Sequence, residues 1–269
     1  MKVNHVMGDG LGITILFSTL QDTYEPSMFI QTTQVLSSCS KFLLYLLKPF
    51  TLMYAFLFFL FWPTDVNCIK KADFTLTGKK NNAVCKPFDI QTLKTIGKHH
   101  NNATINDIVL SLVSVSIREY MRLHDDLDSK SINMLVPFSL RELPRTVQEH
   151  RCENDFSALC FTLDLCATFS DAVARVKAQT KGLKNSVYPY GVYALTELIA
   201  WFPGIVGQLI MMWVVSKATV IMSNVPGPRN GLNYPNAKGI GFLALIPGLG
   251  DLAFGISATS MRERLYMAV

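Results

Sequence analysis

Apolar residues cluster in a long run at positions 42–62, which is the most distinctive stretch of the sequence. The run approaches the roughly 20 residues that a membrane-crossing helix needs, and its single charge, Lys48, is followed at once by Pro49. Proline donates no backbone hydrogen bond and kinks or ends a helix. The uninterrupted part, 50–62, is too short to span. The pattern therefore favours a re-entrant, interfacial or core segment over a true crossing.

A second apolar run covers positions 194–215. Glu197 and the Pro203-Gly204 pair divide it, which predicts two packed or membrane-facing helices joined by a turn. Lysines follow the first run, and they would place the later part of the chain in the cytosol if that run crossed a membrane. These lysines are Lys70, Lys71, Lys79 and Lys80.

Helical and strand-like periods alternate in the rest of the chain. The predicted elements are helices at 89–98, 104–123 and 170–184 and strands at 131–138 and 156–165. Thr104 or Asn106 is suited to cap the second helix, since either side-chain oxygen can accept a first-turn N–H. Strand-like runs after Ala218 end at 226–228, 247–248 and 261–262. The order predicts an α/β or α+β chain with a mixed sheet.

The composition narrows the class of protein. Apolar residues make up 49% and charged residues 17%, with a formal net charge of +5. This excludes a disordered polar chain and disfavours a nucleic-acid partner, which needs a dense basic face. The 17 phenylalanines favour contact with lipid. The 6 cysteines form no C-x-x-C pair, so reduced thiols are expected and a zinc site is not.

The strongest candidate for chemistry is the segment NHVMGDG at positions 4–10. His5 suits a general base, Gly10 permits a tight strand-to-helix turn, and Asp9 can brace that turn or the imidazole. An isolated histidine near an aspartate is more often structural, so spacing leaves both interpretations open. The glycines do not match a dinucleotide-binding fingerprint.

Two further segments carry polar side chains at the ends of predicted elements. Asn106 and Asp107 begin the helix at 104–123, where simple helix capping is an equal alternative. Asn224 precedes the turn Val-Pro-Gly-Pro at 225–228, which is stiff enough to hold its amide in a fixed orientation. An ordinary rigid turn explains the same spacing.

Together these segments resemble the wax ester synthase/diacylglycerol acyltransferase family, within the larger group of CoA-dependent acyltransferases. The family's His-His-x-x-x-Asp-Gly hallmark matches 4–10, with Asn4 in place of the first histidine, and its Asn-Asp motif matches Asn106 and Asp107. Further matches are VPFSLR at 136–141, the neighbourhood of Asn154 and NVPGP at 224–228. The resemblance covers nearly the whole chain and implies that family's fold, with an apolar 42–62 run similar to eukaryotic members.

The resemblance implies transfer of a fatty acyl group from acyl-CoA to a long-chain alcohol or diacylglycerol. His5 would be the base, Asp9 would brace the turn, and Asn106 or Asn224 would donate to the oxyanion. Acyl-CoA would be a co-substrate, with no cofactor or metal. The alternative is a truncated, non-catalytic lipid-binding relative, since the family motif normally follows a substantial N-terminal portion and this chain begins four residues before His5.

The predicted organisation has a remnant of the N-terminal acyltransferase domain at 1–38, a membrane-associated or re-entrant segment at 39–64 and the C-terminal domain at 65–269. The expected partners are acyl-CoA, the acceptor alcohol, and a membrane or lipid-droplet surface, with no nucleic acid. The expected location is the cytosolic face of the endoplasmic reticulum or plasma membrane. A true crossing by 42–62 would separate His5 from the C-terminal domain. A catalytic chain therefore needs a re-entrant or surface-lying hairpin, kinked at Lys48-Pro49.

Overall fold

The computed structural model describes residues 8–21, 37–73, 77–140, 144, 146–151, 153–234, 236–246, 248 and 250–269. The helices are α1 (Gly10–Thr19), α2 (Ser38–Phe61), α3 (Ile90–His99), α4 (Ile105–Leu123), α5 (Phe169–Lys184), α6 (Tyr188–Ala200) and α7 (Gly204–Ser216). The strands are β1 (Phe88–Asp89), β2 (Ser131–Phe138), β3 (Ser157–Asp164), β4 (Val220–Pro226), β5 (Asn233–Tyr234), β6 (Ala237–Lys238), β7 (Phe254–Met261) and β8 (Arg264–Ala268).

A mixed sheet forms the centre of the fold, with the strand order β1-β8-β7-β4-β2-β3. The strands β2, β4 and β7 are parallel, whereas β3, β8 and β1 pair antiparallel to their neighbours. β5 and β6 make a separate antiparallel pair. The predicted mixed α/β class is therefore confirmed.

Helices cover both faces of this sheet. On one face α3, α4 and α5 bury residues such as Ile108, Val113 and Val176 against Met134 and Leu163 of the sheet. On the other face the three apolar helices α2, α6 and α7 pack over β2 and β3. The second face holds a smaller core, and much of the apolar surface of its helices stays exposed.

The predicted elements between the apolar runs lie within two residues of the observed bounds, and β2 matches 131–138 at both ends. The division of the second run into α6 and α7, with a turn at Pro203-Gly204, is also confirmed. The prediction of a strand ending at Pro247-Gly248 is wrong, because residues 239–246 contain no strand.

Pro49 does not end the first apolar helix. The prediction that the helix ends at Pro49 is wrong, because α2 continues through this residue from Ser38 to Phe61. A proline inside a helix costs about 3 kcal/mol, and packing against α6 offsets that cost on both sides of the proline. Lys48 bonds Glu197, and Gly191 lies directly on Thr51.

A buried polar network holds the inner end of α2 to the sheet. Lys217 Nζ donates to the carbonyl oxygens of Phe59 (2.8 Å), Leu60 (3.2 Å) and Trp62 (2.7 Å). These carbonyls belong to the last turn and C-cap of α2, which has no later helical N–H to bond them. Burial lowers the pKa of the Lys217 ammonium group. Lys217 thus caps a helix whose sequence lies more than 150 positions earlier.

The same network caps α7 in the same way. Lys70 Nζ donates to the carbonyl oxygens of Ser216 (2.8 Å) and Ala218 (2.7 Å). Asp65 accepts from the backbone N–H of Asn133 (2.8 Å) and the hydroxyl of Thr219 (2.6 Å), and burial raises the pKa of its carboxyl group. The inner ends of two apolar helices are therefore fixed by a shared set of charged and polar groups.

Candidate active site

The turn that begins α1 is braced by Asp9. Asp9 caps the helix, because its Oδ1 accepts from the N–H of Gly12 at 2.8 Å. Its Oδ2 accepts from the N–H of Asp155 at 3.1 Å, and its own N–H donates to the carbonyl of Glu153 at 3.3 Å. Asp9 is 5% exposed. The carboxylate thus joins the first described turn to the segment before β3.

The next residue, Gly10, lies against the end of β4. A Cβ atom at Gly10 would stand 3.0 Å from Cγ2 of Val225, which is closer than side chains normally approach. Glycine is therefore the residue that lets this turn pack on the strand. Val225 follows Asn224 directly, so the Asp9-Gly10 turn and the NVPGP segment are neighbours.

At the start of α4, the candidate residue Asp107 is buried, whereas its neighbour Asn106 is only half-buried. Thr104 caps the helix and exchanges hydrogen bonds with Asp107 in a capping box. Asp107 is 3% exposed, and its Oδ1 also accepts from the Thr180 hydroxyl of α5 at 2.6 Å. Burial by itself raises the pKa of Asp107, but the hydrogen bonds from Thr180 and Thr104 outweigh it and hold that pKa below its usual value. Asp107 therefore pins α4 to α5.

Asn106 instead faces the end of β4. The side-chain amide of Asn224 donates to Oδ1 of Asn106 at 3.1 Å, across 118 positions of sequence. Asn106 is half-buried and Asn224 is exposed. Gly10, Asn106 and Asn224 consequently gather where α1, the start of α4 and the end of β4 meet, with Asp107 directed into the core.

His5 lies outside the described residues, as does Asn4. Among the described residues, no group of three or more histidine, cysteine, aspartate or glutamate side chains is placed to hold a metal ion. The arrangement offers amide donors and a braced turn, which suit a reaction in which negative charge develops on an oxygen.

Some residues at this site were not found from the sequence. The backbone groups of Glu153 and Asp155 hold Asp9, and Val225 supports Gly10. The resemblance singled out the neighbourhood of Asn154 but gave it no role, and backbone groups carry no sequence signal. Lys217 had a visible signal, since it is a lysine placed directly between an apolar helix and a strand.

Residues 153–269 match the model of the WS/DGAT C-terminal domain. The O-acyltransferase WSD of Acinetobacter baylyi is 27% identical over 187 residues, which is 66% of this chain and 38% of that protein. The chain thus spans less than two fifths of the length of this curated relative.

Solved structures show the same fold. The wax ester synthase/diacylglycerol acyltransferase from Marinobacter aquaeolei VT8 matches with a TM-score of 0.51 and 18% identity, over 82% of this chain and 50% of that one. The first condensation domain of the CDA synthetase matches with a TM-score of 0.54 and 12% identity, over 99% of this chain and 56% of that one. The expected fold is therefore confirmed as the one shared by wax ester synthase/diacylglycerol acyltransferase and condensation-domain structures, and residues 153–269 are similar to the C-terminal domain of the wax ester synthase/diacylglycerol acyltransferase family.

Proposed function

We propose that the chain takes part in O-acyl transfer from a fatty acyl-CoA to a long-chain alcohol or diacylglycerol, in the synthesis of wax esters or triacylglycerols. The observation that carries the proposal is the meeting of Gly10, Asn106 and Asn224 at one end of a WS/DGAT-type sheet. The relative from Acinetobacter baylyi is named an O-acyltransferase, which supports the same class of reaction.

His5 is the proposed base of this reaction. Its neutral imidazole removes the proton from the acceptor hydroxyl, and the oxygen attacks the thioester carbonyl of acyl-CoA. The new C–O bond forms, the C–S bond breaks, and the imidazolium returns the proton to the departing CoA thiolate. A positioned base of this kind contributes about 10²–10⁴-fold in rate.

Asn106 is the better placed of the two candidate oxyanion donors. Its Oδ1 accepts the hydrogen bond from Asn224, so its NH2 group is turned away from that partner and donates to none of the described residues. Asn224 donates one side-chain N–H to Asn106, and we therefore treat it as a positioning residue. A donor aimed at a developing oxyanion contributes about 10²–10³-fold.

The proposed acceptors are apolar, and we therefore propose that the chain works at a membrane or lipid-droplet surface. The proposed location is the cytosolic face of the endoplasmic reticulum or plasma membrane. The acyl donor is a soluble thioester whose chain is apolar, so a site beside a lipid surface serves both substrates. No cofactor is required by this chemistry, because the thioester is already activated.

The test is acyl-CoA-dependent formation of wax ester or triacylglycerol by the chain synthesised in the presence of lipid vesicles. We expect the His5→Ala variant to lose at least 10²-fold in rate, and Asn106→Ala to lower kcat with little change in KM. His124→Ala is the matched control, because His124 stacks on Tyr120 at the far end of α4. Turnover that survives His5→Ala would contradict the proposed mechanism.

The second candidate is a non-catalytic lipid-binding relative. The specific observation in its favour is the large exposed apolar surface of α2, α6 and α7, which can hold lipid without any reaction. This candidate predicts no turnover by the unmodified chain or by any of the variants, together with retained binding of acyl-CoA or vesicles.

A further inference from the structure

The outer half of α2 leaves most of its apolar side chains exposed. In residues 38–50 no side chain is buried, and Phe42, Tyr45 and Phe50 are 63%, 74% and 72% exposed. The buried residues of this helix all lie in its inner part. An exposed apolar surface of this size marks contact with a protein partner or a membrane. α2 is also the one helix in the described ranges long and apolar enough to cross a membrane.

The hairpin of α6 and α7 lies beside α2. Near the sheet, the ring of Tyr188 lies 4.5 Å from that of Phe58. Farther along, Glu197 bonds Lys48. α6 therefore leads away from the sheet, and the turn that follows it lies at the outer end.

This outer turn is the tip of the hairpin and is apolar. Trp201 is 88% exposed and Ile205 is 62% exposed, with Phe202 between them. Farther along α7 the apolar side chains Leu209, Met212 and Trp213 are also exposed. We call α2, α6 and α7 with this turn the apolar lobe.

The charges of the apolar lobe are few and arranged for an apolar environment. Its sequence holds three charged residues, Lys41, Lys48 and Glu197. Lys48 and Glu197 form an ion pair at 2.8 Å, so the charges in the middle of the lobe neutralise each other, as ionisable groups within lipid generally do. The third charge, Lys41, lies near the first turn of α2.

The segments that precede and follow α2 in the sequence contact each other on one side of the lobe. Asp155 donates to Asp9, and Asn233 donates to Gln21 at 2.8 Å. Residues before and after α2 therefore share one compartment, which a single crossing by α2 would not allow.

We propose that the apolar lobe embeds in a single leaflet of a phospholipid bilayer, with the tip around Trp201 inserted and the sheet held outside. The exposed apolar side chains are spread over all three helices and the tip, and lipid can cover them together. Gly191 packed on Thr51 holds α6 to α2 within the lobe, and the Lys217 cap fixes the lobe to the sheet, so insertion also orients the site. The inference rests on the lipid-surface association proposed above, and it needs no catalysis.

The test is flotation of the full chain, synthesised without cells in the presence of phosphatidylcholine vesicles containing about a third phosphatidylserine. We expect the unmodified chain to float, and the double variant Trp201→Glu/Ile205→Glu to bind at least tenfold more weakly. The matched control is Ile240→Glu, since Ile240 is 93% exposed but lies outside the lobe. Circular dichroism of each variant shows whether it is folded.

A membrane-impermeant thiol reagent shows on which side of the membrane a given cysteine lies. Leu20, which is 50% exposed, lies before α2, and the exposed Cys85 lies after it. In chains that hold no other cysteine, we expect the thiol introduced by Leu20→Cys and the thiol of Cys85 both to be labelled from outside sealed vesicles. Protection of the thiol at position 20 but not of Cys85 would overturn the one-leaflet arrangement. Unchanged flotation of the folded double variant, or dimers without vesicles that the double variant abolishes, would overturn the proposal as well. Turnover is not measured, so failure here is distinct from failure of acyl transfer.

Discussion

Replacing Lys217 with methionine removes the ammonium group that caps α2 while keeping a side chain of similar length. The lost partners are the carbonyl oxygens of Phe59, Leu60 and Trp62, two of them in fully buried bonds. A buried acceptor left without a partner costs about 1–3 kcal/mol, which gives about 2–6 kcal/mol for the two. Methionine also avoids burying a charge, so we expect the free energy of unfolding to fall by about 2–4 kcal/mol.

The assay is urea unfolding followed by tryptophan fluorescence, with amide hydrogen exchange of the last turn of α2. Trp213 lies 4.3 Å below Lys217 Nζ, and Trp62 forms the C-cap of α2, so both report on this region. Lys94→Met on exposed α3 is the control, and an exposed substitution of this kind usually changes stability by less than about 0.5 kcal/mol. If Lys217→Met also changes stability by less than 0.5 kcal/mol, the cap does not hold the lobe as argued.

Two other substitutions test the helix contacts. The pKa of Asp107 lies below its usual value of 3.8 in the folded chain, so its contribution to stability is present above pH 4 and lost as pH falls through the folded pKa. Asp107→Asn should lower the free energy of unfolding by about 1–3 kcal/mol at pH 7 and reduce the loss of stability on acidification, measured by urea unfolding at pH 7 and pH 3. An unchanged loss of stability between these two pH values would contradict this. A Cβ at Gly191 would stand 2.1 Å from the carbonyl oxygen of Thr51, so Gly191→Ala should lower the melting temperature, whereas Gly182→Ala, with open space around it, should raise stability by up to about 1 kcal/mol. Equal effects at the two glycines would refute the close helix crossing.

The sequence predicts best where structure depends on neighbours along the chain. Thr104 and Asp107 spell a capping box three residues apart, and α4 begins there. The local rule that proline ends a helix fails at Pro49, because residues on either side of it contact α6 and this long-range packing outweighs the local effect. The Lys217 cap joins positions 158 apart, and no local pattern reports such a distance.

The segment 239–246 shows why an apolar pattern near a sheet is not always a strand. Its carbonyl groups bond side-chain hydroxyls rather than the backbone of a neighbouring strand. Ser257 bonds the carbonyl of Ala244, Thr259 that of Phe242, and Tyr266 that of Ile240. Side-chain hydroxyls of β7 and β8 thus bond these three carbonyl groups in place of the backbone N–H groups of a paired strand. No pattern in the sequence indicates this replacement.

In the Asn106-Asp107 pair, helix capping and the proposed chemistry fall on neighbouring residues of one helix start, although spacing left them as alternatives. Successive helical side chains point about 100° apart, so one of the pair can face the core while the other faces the end of β4. Asp107 ties α4 to α5 through Thr180, and that tie fixes the height and rotation at which Asn106 meets Asn224. The role of Asp107 is therefore positional, and loss of its carboxylate should disturb Asn106 through the helix itself.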